Sequence, residues 1–431
     1  AHMKALTVGA SVMLVLLATT GWGAANTEGQ KQTAAGKKAT AHVALEPGQA
    51  DSHIGETTPS VTEEKSVHWT HPDTEFRGIW LPGKELLATT EAIARKLDAI
   101  ARANFNAVLP DAYFQGYVIY PNSNYLPQLP AARGGDPLRS FIEKAHKRGL
   151  EVHVWLEYGF YAYHTPDATK DPSKGPWLDA HPELQSVSAK GDLYVHNPAW
   201  GDFYSMCPSN PRCHELIANI AAEILERYPV EGINLDRIRY AGESFCYCDY
   251  CKKHFKEDTG IELVEFKKGS QGEKKFLEWK RQQLVKALET IRKRVKSARP
   301  EAVLTSYVVP PAEKDNKAQP WDLWAKERLL DAIAVSMYGR SIVADAERAV
   351  KILGNDKDVL LAAISCEVPS SAYLENIEKA RRYAPLGQIT WYSGQVDDDL
   401  EGLLSGPYAK PARSPFAREF HTSASATQKG E

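Results

Sequence analysis

Short apolar runs alternate eight times with helical patterns along the middle of this chain, and that alternation limits the fold more than any other feature. The strand candidates fall at 76–80, 107–110, 151–157, 232–236, 303–308, 332–338, 359–365 and 388–392. Helical patterns separate them at 91–103, 137–148, 213–228, 274–298, 321–329, 342–353, 371–383 and 397–404. Eight strands alternating with eight helices predict an α/β fold, a closed (β/α)8 TIM barrel. A doubly wound open sheet is the rival. It usually carries fewer repeats, and no Gly-rich phosphate turn follows the first strand.

The ends of the chain read differently. Ala1-His2 before Met3 have the look of a cloning scar, and Met3-Lys4 lead into an apolar stretch to Leu17, then to Gly23-Ala24-Ala25. A positive start, a short apolar core and small residues predict a secretory signal peptide over 1–25, cleaved before Asn26. The run is short for a membrane span, so no span is expected in the mature protein; an uncleaved anchor is the alternative. The expected location is secreted or periplasmic. Residues 26–67 lack aliphatic periodicity and are expected to be a flexible linker, because they cannot offset their ordering entropy by burial. The tail 407–431 is expected to be flexible as well. What lies between, 68–406, is about 330 residues, within the usual range for one barrel domain. The formal net charge of −3 gives no reason to expect a nucleic-acid partner.

Two connections are longer than a barrel needs: 158–212 after strand three and 241–272 after strand four. Long loops in compact domains commonly carry function. The first holds Tyr158, Phe160, Tyr161, Tyr163, His164, Trp177, His181, Tyr194, His196, Trp200, Phe203 and Tyr204. Some of these rings form the loop's own core; the others offer flat faces with polar tips.

At the far end of strand four, polarity flips within Gly232-Ile-Asn-Leu-Asp236-Arg237-Ile-Arg239-Tyr240. The carboxyl ends of barrel strands carry the chemistry, so an acid and two guanidinium groups there suggest a site. An ion pair of Asp236 with Arg237 or Arg239 is the structural alternative. With Cys207-Pro-Ser-Asn-Pro211 before it, this stretch resembles the glycosyl-hydrolase-like barrel proteins, especially those of the family 10 type. Asn106-Ala-Val-Leu-Pro110 with Gly116-Tyr-Val-Ile-Tyr120-Pro121 resembles their second strand and loop. The segment 321–338 resembles their fifth helix and sixth strand, and the similarity runs over roughly 75–400. The resemblance implies a glycoside hydrolase acting on a polysaccharide, a bacterial cell-wall glycan or exopolysaccharide among the options, with no organic cofactor.

Glycosidic cleavage needs one carboxylic acid to protonate the leaving oxygen and a second carboxylate to attack carbon or activate water. Four acids sit at or just past strand ends: Asp111, Glu157, Asp236 and Glu367. Asp236 is the leading catalytic candidate by position and resemblance. Glu367 follows strand seven as Asp236 follows strand four, and those strands carry the pair in many retaining barrel glycosidases, an analogy of fold only. Glu157 and Asp111 are its rivals, with Asp111 also a substrate-binding candidate. Arg77, Trp80, Arg239, Tyr338 and Trp391 complete the expected substrate-binding set; His153, inside strand three, is expected to pack. A carbohydrate-binding barrel without hydrolysis would keep the aromatics and arginines but need no paired acids. Metal-dependent hydrolysis lacks its usual signal, since no His-Glu-x-x-His motif occurs.

Cys246-x-Cys248-x-x-Cys251 supplies three thiols in six residues, with Cys207 in the loop before. Four sulfurs suit a structural tetrahedral zinc with no open position for water. The set resembles the cluster of family 42 β-galactosidases, in which three cysteines and one from the previous loop hold zinc near the barrel mouth. The alternative is disulfides, Cys207 with Cys213 and Cys246 with Cys251, which an exported compartment favours. On either reading the cysteines staple the strand-four loop.

Overall fold

A computed structural model describes residues 68–338 and 341–417. The expected signal peptide, 1–25, and the expected linker, 26–67, lie outside the described residues. Eight parallel strands close on themselves: β1 Phe76–Leu81, β2 Ala107–Pro110, β3 Glu151–Leu156, β4 Gly232–Leu235, β5 Val303–Val308, β6 Ala332–Ser336, β7 Leu360–Ser365 and β8 Gly387–Trp391. Each pairs with its neighbours in chain order, and β1 pairs with both β2 and β8, so the ring has no free edge. All eight expected strands are present, with ends shifted by one or two residues where they differ at all.

Alternation along the strands sorts their side chains into two layers. Phe76, Trp80, Leu109, Trp155, Ala334, Leu361, Ala363 and Ile389 fill the barrel interior. Ile79, Val108, Val152, Val154, Ile233, Leu304, Val335 and Ile364 face the helices. Both faces are apolar because a parallel barrel is covered on both sides.

Caps explain where several helices start. Thr89 caps α1, Thr90–Arg102, by accepting from the Ala92 N–H; Asp136 caps α2, Pro137–His146, through the Arg139 N–H. Asn210 caps α3, Pro211–Arg227, and Ser270 caps the long α4, Gln271–Ala298. In α2 and α3 a proline holds the first helical position, where its missing N–H costs nothing. The outer ring continues with Trp321–Lys326, Ile342–Leu353, Ser370–Arg381 and Val396–Ser405.

The long connections are not irregular. After β3, the segments Tyr161–Thr165, Tyr194–Asn197 and Gly201–Ser205 form a three-stranded antiparallel sheet. After β4, Asp249–Thr259 is a helix that carries Cys251.

Two expectations fail at the amino end of the barrel. Arg77 lies there and not at the mouth, so it is not placed to bind substrate. Its guanidinium is fully buried, donates to Glu75 at 2.7 Å and to the Lys410 carbonyl at 2.7 Å, and stacks 4.3 Å from the Tyr408 ring. Arg381 grips the same Glu75 and also pairs with Glu378 at 3.0 Å, so two cations share two carboxylates. The tail is also not loose from residue 407. Residues 407–417 seal this end: Tyr408 is buried, Ser414 Oγ donates to Glu151, and Phe416 packs edge-on to Phe76 at 5.3 Å. His153 packs as expected, against Phe76 and Phe416, with Nε2 3.1 Å from Glu151.

If residues 407–417 close the barrel floor, Tyr408→Ala should destabilise the protein by about 3–5 kcal/mol, the range for emptying a buried aromatic site. Denaturant unfolding of the variant checks this, and truncation after 406 should cost more than Tyr408→Ala alone.

Candidate active site

At the opposite end, four rings from β1, β3, β5 and β8 converge beneath the mouth. Trp80 lies 6.2 Å from Trp155, 5.9 Å from Tyr307 and 6.4 Å from Trp391, and Trp155 lies 5.8 Å from Trp391. The Trp80 indole donates to Asn234 Oδ1 at 3.0 Å, and Asn234 donates to the Thr305 hydroxyl at 2.8 Å. Trp80, Asn234 and Thr305 are therefore bonded across strands, while the Trp155 indole N–H has no partner, and the ring faces form an apolar bed under the acids. Tyr338 continues that bed by stacking on Tyr307 at 6.0 Å.

Asp236 follows β4 directly and is only 8% exposed. Burial pushes its carboxyl up to about 6, against the opposing pull of Arg237 and Arg239 and with the help of Glu157. Arg237 takes φ +50°, an uncommon backbone for a long side chain, and its N–H donates to Asp236 Oδ1. That turn aims its guanidinium over Tyr158 and Tyr161, at 4.9 and 5.3 Å from the ring centroids, and into a 3.0 Å ion pair with Glu157. Gly159 makes the turn possible. At φ +48° it passes so close to β4 that a Cβ would lie 2.0 Å from the Asp236 carbonyl oxygen.

Asp111 stands beside Glu157. It is fully buried, and burial first, then the Glu157 carboxylate, pushes its pKa well above the usual range. Its Oδ1 accepts from the Tyr113 N–H at 3.2 Å, and Oδ2 has no hydrogen-bond donor. A neutral Asp111 that keeps its proton and donates a hydrogen bond to Glu157 satisfies both groups. Arg239 donates to the Tyr161 hydroxyl at 3.0 Å. One wall of the mouth thus gathers Asp111, Glu157, Asp236, Arg237 and Arg239.

Glu367 belongs to another part of the rim, past β7. Its pKa is raised by burial, against a hydrogen bond from the Trp391 side chain. Desolvation, Tyr307, Asp236 and Glu367 together push up the Tyr338 phenol, which puts both carboxylates within electrostatic reach of one hydroxyl. Trp80, Trp391, Tyr338 and Arg239 are all at the carboxyl end; of the expected binding set only Arg77 is not.

Sequence reasoning left several mouth residues without a role. Trp155, Asn234, Thr305 and Tyr307 point into the barrel, and their signal was the inward phase of strands already identified. Phe203, 5.9 Å from the Arg237 guanidinium, comes from the far side of the β3 loop, and only the sheet pairing places it there.

Cys207, Cys246, Cys248 and Cys251 are all buried, and their sulfurs lie within 4.8 Å of one another. Cys207 Sγ is 3.5 Å from both Cys248 and Cys251, well beyond the S–S bond of about 2.05 Å. All six cysteines are free thiols, so neither disulfide of the alternative reading is formed. A zinc with Zn–S of about 2.3 Å sets neighbouring sulfurs about 3.8 Å apart, which fits these spacings. A buried cation stands next to the cluster: Lys280 donates to the Phe245 carbonyl at 3.0 Å, and burial brings it down to about 8 against the pull of Cys251 and Cys246. The set suits a metal held by thiolates whose charge the ammonium offsets.

A (β/α)8 barrel with an aromatic bed and a ring of carboxylates at its carboxyl end is the architecture shared by many glycoside hydrolases. The chain matches the glycosyl hydrolase-like 10 family over residues 75–360 and belongs to it. It is 27% identical over 215 residues to the glycosyl hydrolase DigH of Escherichia coli, covering 43% of this chain and 45% of that protein. It is 28% identical over 196 residues to the glycosyl hydrolase YngK of Bacillus subtilis, covering 40% and 36%. The chain therefore spans less than half the length of the curated relatives it matches. Among solved structures, the fold is shared with the glycoside hydrolase domain of PgaB (BpsB) from Bordetella bronchiseptica. That match has a TM-score of 0.58 at 13% identity and covers 76% of this chain and 95% of the other. The β-amylase catalytic domain of Paenibacillus polymyxa matches with a TM-score of 0.57 at 12% identity, covering 77% and 95%.

The raised Asp236 carries a stability signature. Its folded pKa of about 6 lies above the ordinary 3.8, so its contribution is most favourable below 3.8 and is lost as pH rises through 6. Asp236→Asn removes the buried charge and should stabilise the fold at pH 8 by up to about 3 kcal/mol, the equivalent of that shift. Below pH 4 the gain should vanish. Denaturant midpoints of the two proteins at pH 4 and pH 8 check the sign.

Proposed function

We propose that this protein is an exported glycoside hydrolase that cleaves glycosidic bonds in a polysaccharide by a two-carboxylate mechanism. The observation that carries the reading is Asp236, a buried carboxyl brought to about 6 at the end of β4, over an aromatic bed suited to a sugar face. A carboxyl with that pKa keeps a proton to donate near neutral pH, so Asp236 protonates the leaving oxygen. Glu367 is the second carboxylate, which attacks the anomeric carbon or activates water. Glu157 neutralises Arg237 and accepts a hydrogen bond from the protonated Asp111, which fixes the wall on which Asp236 stands. Trp391, Tyr338 and Arg239 line the substrate, and the buried Trp80 and Asp111 back them. Bacterial cell-wall glycan or exopolysaccharide is the substrate class in view, and a secreted or periplasmic location follows from the leader pattern at 1–25.

Reducing-end release from a polysaccharide panel tests the activity. Once a substrate is found, kcat/KM should fall above about pH 6 as Asp236 loses its proton. Asp236→Asn should remove at least about 99% of turnover while sugar binding persists. Glu367→Gln should do likewise, and Glu157→Gln should cost less; the reverse order would make Glu157 the second carboxylate. A carbohydrate-binding barrel would instead show no turnover on any substrate that it binds.

We further propose that Cys207, Cys246, Cys248 and Cys251 hold one structural zinc. Elemental analysis of protein purified without chelator should give about one zinc per chain. Cys248→Ser should lower both zinc content and thermal midpoint.

A further inference from the structure

Asp236 is followed at once by Arg237 and soon after by Arg239, and both guanidinium groups pull on its carboxyl through space. Each is bonded instead to a residue that follows β3. Arg237 pairs with Glu157 at 3.0 Å, and Arg239 Nη1 donates to the Tyr161 hydroxyl at 3.0 Å. The two anchors differ in kind. Glu157 is a carboxylate and answers the charge of its arginine. Tyr161 offers a phenol, and the Arg239 Nε beside it is buried with no hydrogen-bond partner. A guanidinium this near a carboxyl ordinarily closes into an ion pair and brings its titration down by about 1–3 pH units. Here that pair stays open.

The Tyr161 hydroxyl is itself well fixed. Tyr161 opens the first strand of the β3-loop sheet, opposite Ser205, and is 7% exposed. Its N–H donates to the Tyr158 carbonyl at 2.6 Å, and its carbonyl accepts from the Tyr113 hydroxyl at 3.4 Å. The ring lies under both arginines, 5.1 Å from Arg239 and 5.3 Å from Arg237. Burial would raise this phenol, but Arg239, Lys317 and Arg237 together bring it below its ordinary value, which makes its oxygen a strong acceptor. The other groups around Asp236 are settled. Glu157 after β3 takes Arg237, Asp111 after β2 bears on Glu157, and burial keeps Tyr307 of β5 and Tyr338 after β6 protonated. Arg239 is therefore a charge at Asp236 whose place is set by a hydroxyl and not by a carboxylate.

We infer that Tyr161 is a positioning residue, whose hydroxyl holds the Arg239 guanidinium off Asp236 and so leaves Asp236 its proton near neutral pH. This rests on the reading in which Asp236 is the proton donor of a glycosidase. Tyr161 acts through Arg239 and does not touch the sugar.

Tyr161→Phe tests it, because it removes the hydroxyl and keeps the buried ring. Freed Arg239 should close on Asp236, and the kcat/KM limb that Asp236 sets should move from about pH 6 to about pH 5. The loss is then about tenfold at pH 7 and less than about twofold at pH 4.5. Adding Arg239→Gln to Tyr161→Phe should return the limb to about pH 6 or above, whatever the change in rate. Tyr163→Phe, which removes a hydroxyl of the same strand bonded to Asp171, should leave the limb in place. An equal loss at both pH values with an unmoved limb makes Tyr161 merely structural and overturns the inference. A second measurement needs no substrate. The stability gained on Asp236→Asn should level off near pH 6 in the natural background and near pH 5 in Tyr161→Phe. The same level-off in both backgrounds overturns the inference and leaves the glycosidase reading standing. A shifted level-off in a protein whose Asp236→Asn variant keeps full turnover overturns the proton-donor reading and, with it, the catalytic purpose assigned to Tyr161.

Discussion

Closing eight parallel strands into a ring removes every free sheet edge but leaves a tube with two ends, and the rest of this structure follows from how each end is treated. The amino end is filled. Phe416 packs against Phe76 and His153, and Arg77 and Arg381 are neutralised by Glu75 and Glu378 and donate to the Lys410 and Pro407 carbonyls. Such a network breaks even at best when complete and costs heavily when one partner is removed. The carboxyl end is filled only part-way, because β1, β3, β5 and β8 supply Trp80, Trp155, Tyr307 and Trp391 while β6 and β7 supply Ala334 and Ala363. Large rings against small side chains pack the interior to a level just below the strand ends. Acids placed at those ends stand on a dry floor and are reached by solvent only from above.

That floor governs the electrostatics. Two arginines next to Asp236 should by themselves hold a carboxyl low, yet burial outweighs them and the group ends near 6. Arg237 is partly spent on Glu157, and Arg239 on the Tyr161 hydroxyl, so neither is devoted to Asp236. The result is three acids on one wall in different states: a neutral Asp111, a Glu157 paired with a guanidinium, and an Asp236 close to its midpoint. Environments that separate the pKa values of neighbouring carboxyls are what acid–base chemistry at one site requires.

The barrel was legible in the sequence because both faces of each strand are buried, so every strand appears as an apolar run bounded by polar turns. Asp236 was legible for the complementary reason, as a charge where such a run stops. Arg77 misled because a charge near a strand reveals a special environment but not which end of the tube it occupies. The segment 407–417 was hidden by its composition. It holds the floor largely through backbone oxygens, with the Tyr408 carbonyl accepting from Asn104, Lys410 from Arg77 and Ala412 from Asn106. Carbonyls leave no trace in hydropathy. The sheet in the β3 loop was missed because its strands pair across long, irregular intervals, and its bulge between Tyr161 and Tyr163 breaks the alternation.

The four thiols connect these observations, because they join the two loops that build the active-site wall. Cys207 closes the β3 loop, where its N–H donates to the Leu184 carbonyl at 2.7 Å, and Cys246, Cys248 and Cys251 belong to the β4 loop. Ser209 Oγ accepts from Cys251 at 3.2 Å and sits 2.7 Å from the Tyr240 hydroxyl, one residue beyond Arg239. Arg239 in turn bonds Tyr161 of the β3 loop. The same two loops are therefore tied twice, once at the sulfurs and once at the mouth, and the strand carrying Asp236 runs between the ties. A loop pair fixed at two points cannot rotate about either. The wall consequently keeps its shape, with Leu178, Leu184 and Met206 of the β3 loop and Phe245 and Phe255 of the β4 loop buried behind it.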